Sequence, residues 1–315
     1  MSAVLTALGT MAASVALGWV LGRRGTLGER APAVLARVVF AVATPALLLV
    51  TVAHADLHLL LSRSAATTWA STAVVAVVAL LVLRLMLRRP AAETTVGTLA
   101  SSYVNAGNLG LPLAVYLLGD AVAVVPALLF QLLVLAPIAF AVLDAKTTVP
   151  VLGPVGRRSG GRAGAVARRT FANPIIVGAL SGLVLAGLPW QLPEVVFEPF
   201  RLVGAAAAPL ALVTFGMSLA VPRATRERSP RPDLVLVVTL RSLVHPLLAL
   251  AIGAALGLRG EALLAVSAMA ALPTAQNVLV YAIQYGRGQA LARDAGLVTT
   301  ILCVPVLLVL SAVLV

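Results

Sequence analysis

The stretch "NAGNLGLP", Asn105–Pro112, interrupts a long apolar run. Such a run should form a helix, yet two asparagines, two glycines and a proline oppose one. Proline removes a backbone donor and clashes with the preceding turn, and glycine costs conformational entropy. A second interruption, "LPTAQN" (Leu272–Asn277), lies in another apolar run. How these two stretches relate decides the fold.

The rest of the chain shows why the interruptions matter. It has 315 residues, 61% hydrophobic and 11% charged, with mean hydropathy +1.05. A soluble domain is roughly half apolar and about a quarter charged, so the composition is that of an all-α polytopic membrane protein. Ten apolar runs are long enough to span a bilayer: 3–21, 32–53, 64–87, 94–118, 121–143, 173–189, 195–220, 233–257, 261–285 and 290–314. They are too long and continuous for barrel strands. No Lys or Arg precedes the first run and Arg23 and Arg24 follow it, which is the pattern of a retained span, the reverse of a cleaved signal peptide.

The net charge of +12 does not signal nucleic acid, because the basic residues sit between the apolar runs. Loops after spans 1, 3, 5, 7 and 9 carry eighteen of them, from Arg23 to Arg293. The opposite loops carry three, Arg63, Arg201 and Arg259. Positive residues mark the cytoplasmic side, so both termini are expected to face outside the cell membrane. Residues 144–172 form the longest polar segment and are read as a basic cytoplasmic linker between residues 1–143 and 173–315.

Those two flanking segments look like copies. Pro45 and Pro209 are 164 residues apart, Tyr116 and Tyr281 are 165 apart, and Pro137 and Pro305 are 168 apart. Five spans per copy is an odd number, so the second copy would enter the membrane inverted. Inverted repeats with paired Gly/Pro-interrupted helices are the architecture of secondary transporters, whose substrates bind at the break near the bilayer midplane. Spans 4 and 9 are that pair. The site expected there comprises Asn105, Gly107, Asn108, Pro112, Pro273, Thr274, Gln276 and Asn277. Half-helix N-termini and neutral amides suit an anion such as a carboxylate. Capping of the broken helix ends is the alternative role for the amides.

All eleven acidic residues lie in loops or near span ends. That disfavours a mid-membrane carboxylate proton relay, a metal site or an enzyme active site. The lone cysteine, Cys303, reads as a small buried hydrophobe. Arg241 and His245 are the ionisable pair inside a span, one helical turn apart in "TLRSLVHP" and with Arg241 about 12 Å inside the expected cytoplasmic entry. Arg241 would either guide an anion or snorkel; His245 would either carry a proton or pack. His54 and His58 flank Asp56 in an external loop, a solvated loop or a weak metal site.

The motifs "NAGNLGLPLAVYLLG", "LPTAQNVLVYAIQYG", "NPIIVGALSGL" and "AAAAPLALVTFGMSLA" resemble the auxin efflux carrier family, which includes plant auxin exporters and bacterial malonate-type permeases. The resemblance covers nearly the whole chain. It implies two inverted five-helix repeats with broken, crossing helices 4 and 9. Spans 1, 2, 6 and 7 would form a scaffold, and spans 3–5 and 8–10 a transport domain moving as an elevator. It also implies an organic anion as substrate, no cofactor, and a homodimer in the lipid bilayer, with Na+ or H+ coupling left open. A sodium-coupled symporter of the bile-acid type, a non-transporting membrane sensor or enzyme, and a channel are the competing readings. The long hydrophilic loop of the plant exporters has no counterpart here.

Overall fold

A computed structural model describes residues 2–54, 62–110, 113–114, 121–146, 174–188, 192–220 and 227–314. All regular structure among them is helical: α1 (Ser2–Arg24), α2 (Ala31–Ala53), α3 (Arg63–Met86), α4 (Ala91–Ser102), α5 (Val125–Ala145), α6 (Pro174–Ala186), α7 (Glu194–Leu219), α8 (Arg231–Ala255), α9 (Gly260–Ala270), α10 (Gln276–Tyr285) and α11 (Gln289–Leu314). Six of these, α2, α3, α5, α7, α8 and α11, are long and apolar enough to cross a membrane. Helices α6 and α9 are apolar but shorter.

The two runs with hostile centres do not form continuous helices. The first stops at Ser102, passes through extended residues and re-enters a short π turn, Ala106–Gly110. The second stops at Ala270 and resumes as α10 at Gln276. Of the linker expected at 144–172, residues 144–146 continue the helix that runs to Lys146, and 147–172, together with Pro112, Tyr116, Asp56 and His58, lie outside the described residues.

Proline shapes three of the other helices. Each carries a five-residue π segment that begins six residues before a proline: Val39 before Pro45, Gln131 before Pro137 and Leu240 before Pro246. A proline ring crowds the carbonyl four residues earlier and offers it no N–H. The helix widens by one residue instead of kinking. In each case the residue just before the proline donates its N–H to the carbonyl five residues back: Thr44 to Val39, Ala136 to Gln131 and His245 to Leu240. Such bulges rotate the side chains they contain relative to an ordinary helix.

Helix packing falls into two sets. In one, α1 lies along the second half of α7, while α2 packs on α6 and on the first half of α7. In the other, α3 packs on α4 and α8, α8 on α9, α4 on α5, and α10 on α11. The first set is joined by glycine. A Cβ at Gly18 would fall 2.1 Å from the Val213 carbonyl oxygen, and one at Gly216 would fall 2.0 Å from that of Val15. Each helix gives up a side chain where the other's backbone passes, which brings the axes close enough for backbone-to-backbone dispersion contact. The sets meet through an aromatic cluster: Phe40 of α2 packs edge-on against Phe140 of α5 and against Tyr281 and Tyr285 of α10, with centroids 5.4, 6.0 and 6.0 Å away. Tyr285 donates to buried Asp144 at 2.9 Å, and Arg89 pairs with buried Asp233 at 2.9 Å. Both buried carboxylates stand at helix ends.

Glycine packing makes a prediction within one helix. Gly18→Ala should lower the melting temperature of the purified protein, since overpacking costs about 1–3 kcal/mol. Gly9→Ala, where a Cβ meets nothing within 4 Å, should leave it unchanged or slightly raised. Equal melting temperatures would refute the close-approach account.

Candidate functional site

The two breaks meet. Val104 and Thr274 form an isolated antiparallel bridge. Asn105 donates its N–H to the Pro273 carbonyl at 2.9 Å, and Ala275 donates to the Tyr103 carbonyl at 3.1 Å. A lone two-bond ladder holds the crossing because each strand-like piece has only a few residues between helices. Its outward-facing N–H groups still need partners in a buried place. Val104 N–H donates to Oε1 of Gln131 at 3.0 Å, and Thr274 N–H donates to Oγ1 of Thr299 at 3.1 Å. The Thr274 hydroxyl donates to the Ala100 carbonyl at 2.6 Å, satisfying one end carbonyl of α4. Gln131 opens a π segment, so the widening caused by Pro137 sits where this side chain leaves the helix for Val104.

A cavity of about 470 Å³ lies against this crossing, within the range of about 300–1,000 Å³ usual for small-molecule sites. One side is formed by Tyr103, Asn105, Gln131, Ala275 and Asn277. The facing side is formed by Thr44 and Leu47 of α2 and by Gly204, Ala205, Ala207 and Ala208 of α7. None of the lining residues is ionisable apart from the Tyr103 phenol. Two of them hold a buried polar atom with no hydrogen-bond partner, Nδ2 of Asn105 and Oγ1 of Thr44, and a third, the buried Tyr103 hydroxyl, has the Tyr281 hydroxyl beside it. All three can donate. Buried donors left unpaired are costly, and a ligand carrying oxygen acceptors would satisfy those of Asn105 and Thr44. The N-terminus of α10, capped by Ala275 with no side-chain bond, adds first-turn N–H groups of Gln276 and Asn277 that no helical carbonyl can reach. Tyr103 and Tyr281 meet edge to face at 6.1 Å.

The residues expected from sequence separate into roles. Asn105 and Asn277 line the cavity. Pro273 and Thr274 build the bridge. Gln276 is buried at the start of α10 with Oε1 unpaired, outside the cavity lining. Gly107 and Asn108 supply backbone to the π turn; the Asn108 side chain and Pro112 lie outside the described residues. Arg241 is fully buried and holds carbonyls of α4 and α9, so it neither snorkels nor touches the cavity. His54 pairs with Glu194 at 3.2 Å, and among the described residues no cluster suits a metal ion. Sequence reasoning misses Gln131, Thr299, Thr44 and Tyr103. Gln131 does carry a signal, as an amide inside the apolar run 121–143.

Comparison with known proteins gives a family and a relative. Residues 4–145 and 162–311 match the family described as "Membrane transport protein". Over 228 residues the chain is 31% identical to a protein of Rhizobium meliloti (strain 1021) described as "Putative malonate transporter". That match covers 69% of this chain and 66% of the relative, so the chain spans just under two thirds of its relative's length.

The bridge can be tested through its partners. Thr299→Val orphans the Thr274 N–H and should destabilise the protein by about 1–3 kcal/mol. Thr299→Ser keeps the acceptor and should retain most of the wild-type melting temperature. A valine variant as stable as the serine variant would remove the hydroxyl's assigned role.

Proposed function

The chain belongs to the auxin efflux carrier family of membrane transport proteins, and we propose that it is a secondary carrier for a small carboxylate anion. It is a multi-pass membrane transporter and not an enzyme. The observation that carries the substrate reading is the cavity at the crossing, where unpaired donors of Asn105 and Thr44 and the Tyr103 phenol gather without a carboxylate to repel an anion. The relative named for malonate makes a short dicarboxylate the first compound to try.

In this reading the chain is two inverted five-span repeats. The partners of the bridge support that symmetry. Val104 N–H and Thr274 N–H each bond a side chain on the fifth span of their own half, and those side chains, Gln131 and Thr299, are 168 residues apart. Pro137 and Pro305 have the same separation. Helices α1, α2, α6 and α7 act as scaffold, and α3–α5 with α8–α11 carry the substrate past it. The cavity lies between these sets, as alternating access requires. Both termini face outside the cell in this reading, which the excess of basic residues in alternate loops supports. Two copies pair through the scaffold, where α2, α6 and α7 frame an apolar groove of about 590 Å³ lined by Val177, Pro199 and Phe200; the native mass of the purified protein checks this.

Proteoliposome uptake of radiolabelled malonate and related carboxylates tests the carrier reading. Asn105→Ala and Asn277→Ala should each reduce uptake at least ~tenfold, the equivalent of losing about 1.4 kcal/mol of binding, with folding retained. Ala208→Trp should abolish uptake from the opposite wall by filling the cavity. Normal uptake in all three variants would move the substrate site elsewhere.

A further inference from the structure

Arg241 is 0% exposed, and among the described residues no carboxylate pairs with it. Its guanidinium is instead surrounded by neutral acceptors. Nη2 donates to the Ala270 carbonyl and to Nδ1 of His245, and Nη1 donates to the Ser101 carbonyl at 3.4 Å. Ala270 is the last residue of α9, and Ser101 stands in the last turn of α4. The two helices that break at the crossing therefore aim their C-terminal ends at one buried cation. Each such end carries about half a negative charge, so two ends together balance about one positive charge. In ion-coupled carriers, carbonyls at the C-terminal ends of broken helices are what coordinate an alkali cation.

We propose that this is a monovalent-cation site already filled by the Arg241 guanidinium, which makes crossing of the broken helices independent of added Na+ or K+. The consequence for transport rests on the carrier reading above; the cation site itself does not. His245 belongs to the site as a ligand. Arginine can only donate, so Nδ1 of His245 accepts and the ring proton sits on Nε2. From there it points to Oγ1 of Thr72 at 3.2 Å, whose own proton goes to the Thr68 carbonyl at 2.6 Å. The ring is neutral, and protonating Nδ1 would remove an acceptor from the guanidinium. His245 thus positions the cation and does not carry a proton. The π segment Leu240–Val244 holds Arg241 at this point, since the widening imposed by Pro246 falls on that turn.

Arg241→Ala leaves the Ala270 and Ser101 carbonyls and the His245 imidazole around a hole the shape of a guanidinium. Thermal unfolding of the purified variant is followed in low-millimolar guanidinium chloride, sodium chloride or choline chloride at equal ionic strength. Guanidinium should raise its melting temperature by roughly 2 °C or more over choline, by mass action on the folded state, with sodium giving a smaller rise. Wild type should not distinguish the three salts. A folded variant blind to the cation, or a wild type stabilised by sodium over choline, overturns the proposal. If Arg241→Ala yields no folded protein, Arg241→Lys and Arg241→Met are compared: lysine should fold and methionine should not, and methionine at least as stable as lysine overturns it. In proteoliposomes, wild-type uptake should be unchanged when sodium is replaced by choline, and guanidinium should restore uptake by Arg241→Ala. Sodium-dependent wild-type uptake overturns the proposal. A wild type that takes up no anion, beside a variant that guanidinium stabilises, defeats the carrier reading and leaves the cation site standing.

Discussion

Breaking two helices in the interior of a membrane protein frees backbone groups where little water can reach them, and each must find a partner within the protein. The antiparallel bridge between Val104 and Thr274 is the solution, and much of the chain serves it. Two of its groups bond each other's strand. The outward N–H groups take Gln131 and Thr299. The end carbonyls of α4 and α9 take the Thr274 hydroxyl and the Arg241 guanidinium. One buried group left over would cost about 1–3 kcal/mol, a large part of the margin by which proteins are stable. Of the unpaired groups that persist among the described residues, those of Asn105 and Thr44 are informative because both face one cavity, while others, such as Oε1 of Gln276 and Nε of Arg241, lie outside its lining.

The partners reach the bridge because of prolines at a distance from it. Pro137 widens α5 at Gln131, and Pro246 widens α8 at Arg241. Pro45 widens α2 at Phe40, whose ring packs on Phe140, Tyr281 and Tyr285 and so fixes α10 against the other set of helices. In each case a residue that cannot donate a hydrogen bond changes where a neighbour about one and a half turns earlier points. The sequence-to-site path is thus local at its start and long-range at its end.

The breaks themselves are legible in composition, since Asn, Gly and Pro gathered within an apolar run all oppose the helix that the run would otherwise form. Asn105 and Asn277 are legible for the same reason. Gln131 stands out only as an amide in an apolar run and Thr299 not at all, because a single amide or hydroxyl within a helix can bond its own preceding turn, and only the crossing tells which one reaches across. Arg241 offers two readings from sequence, anion guide or snorkel; its surroundings are helix-end carbonyls, which no one-dimensional pattern reveals. The ten apolar runs also differ from the helices observed. Runs 94–118 and 261–285 show their interruptions openly, while run 173–189 contains a helix, Pro174–Ala186, shorter than the run itself. Apolar content measures how comfortable a segment is among lipid tails, and helix length depends on where the chain must turn.

The cavity has one further property. Its donors sit mostly on the crossing, whereas the opposite wall carries the Thr44 and Thr51 hydroxyls on α2 and is purely alkyl along α7, at Gly204, Ala205, Ala207 and Ala208. Small alkyl groups present a smooth face with no directional bond to make or break. In the carrier proposed above, an anion in this chamber would be held by the crossing and by Thr44 and merely touched by α7. If the two sets of helices slide past each other as proposed, shear along α7 would meet only the shallow, closely spaced minima of van der Waals contact, so its methyl groups would act as a bearing surface whose low friction follows from how little those residues are.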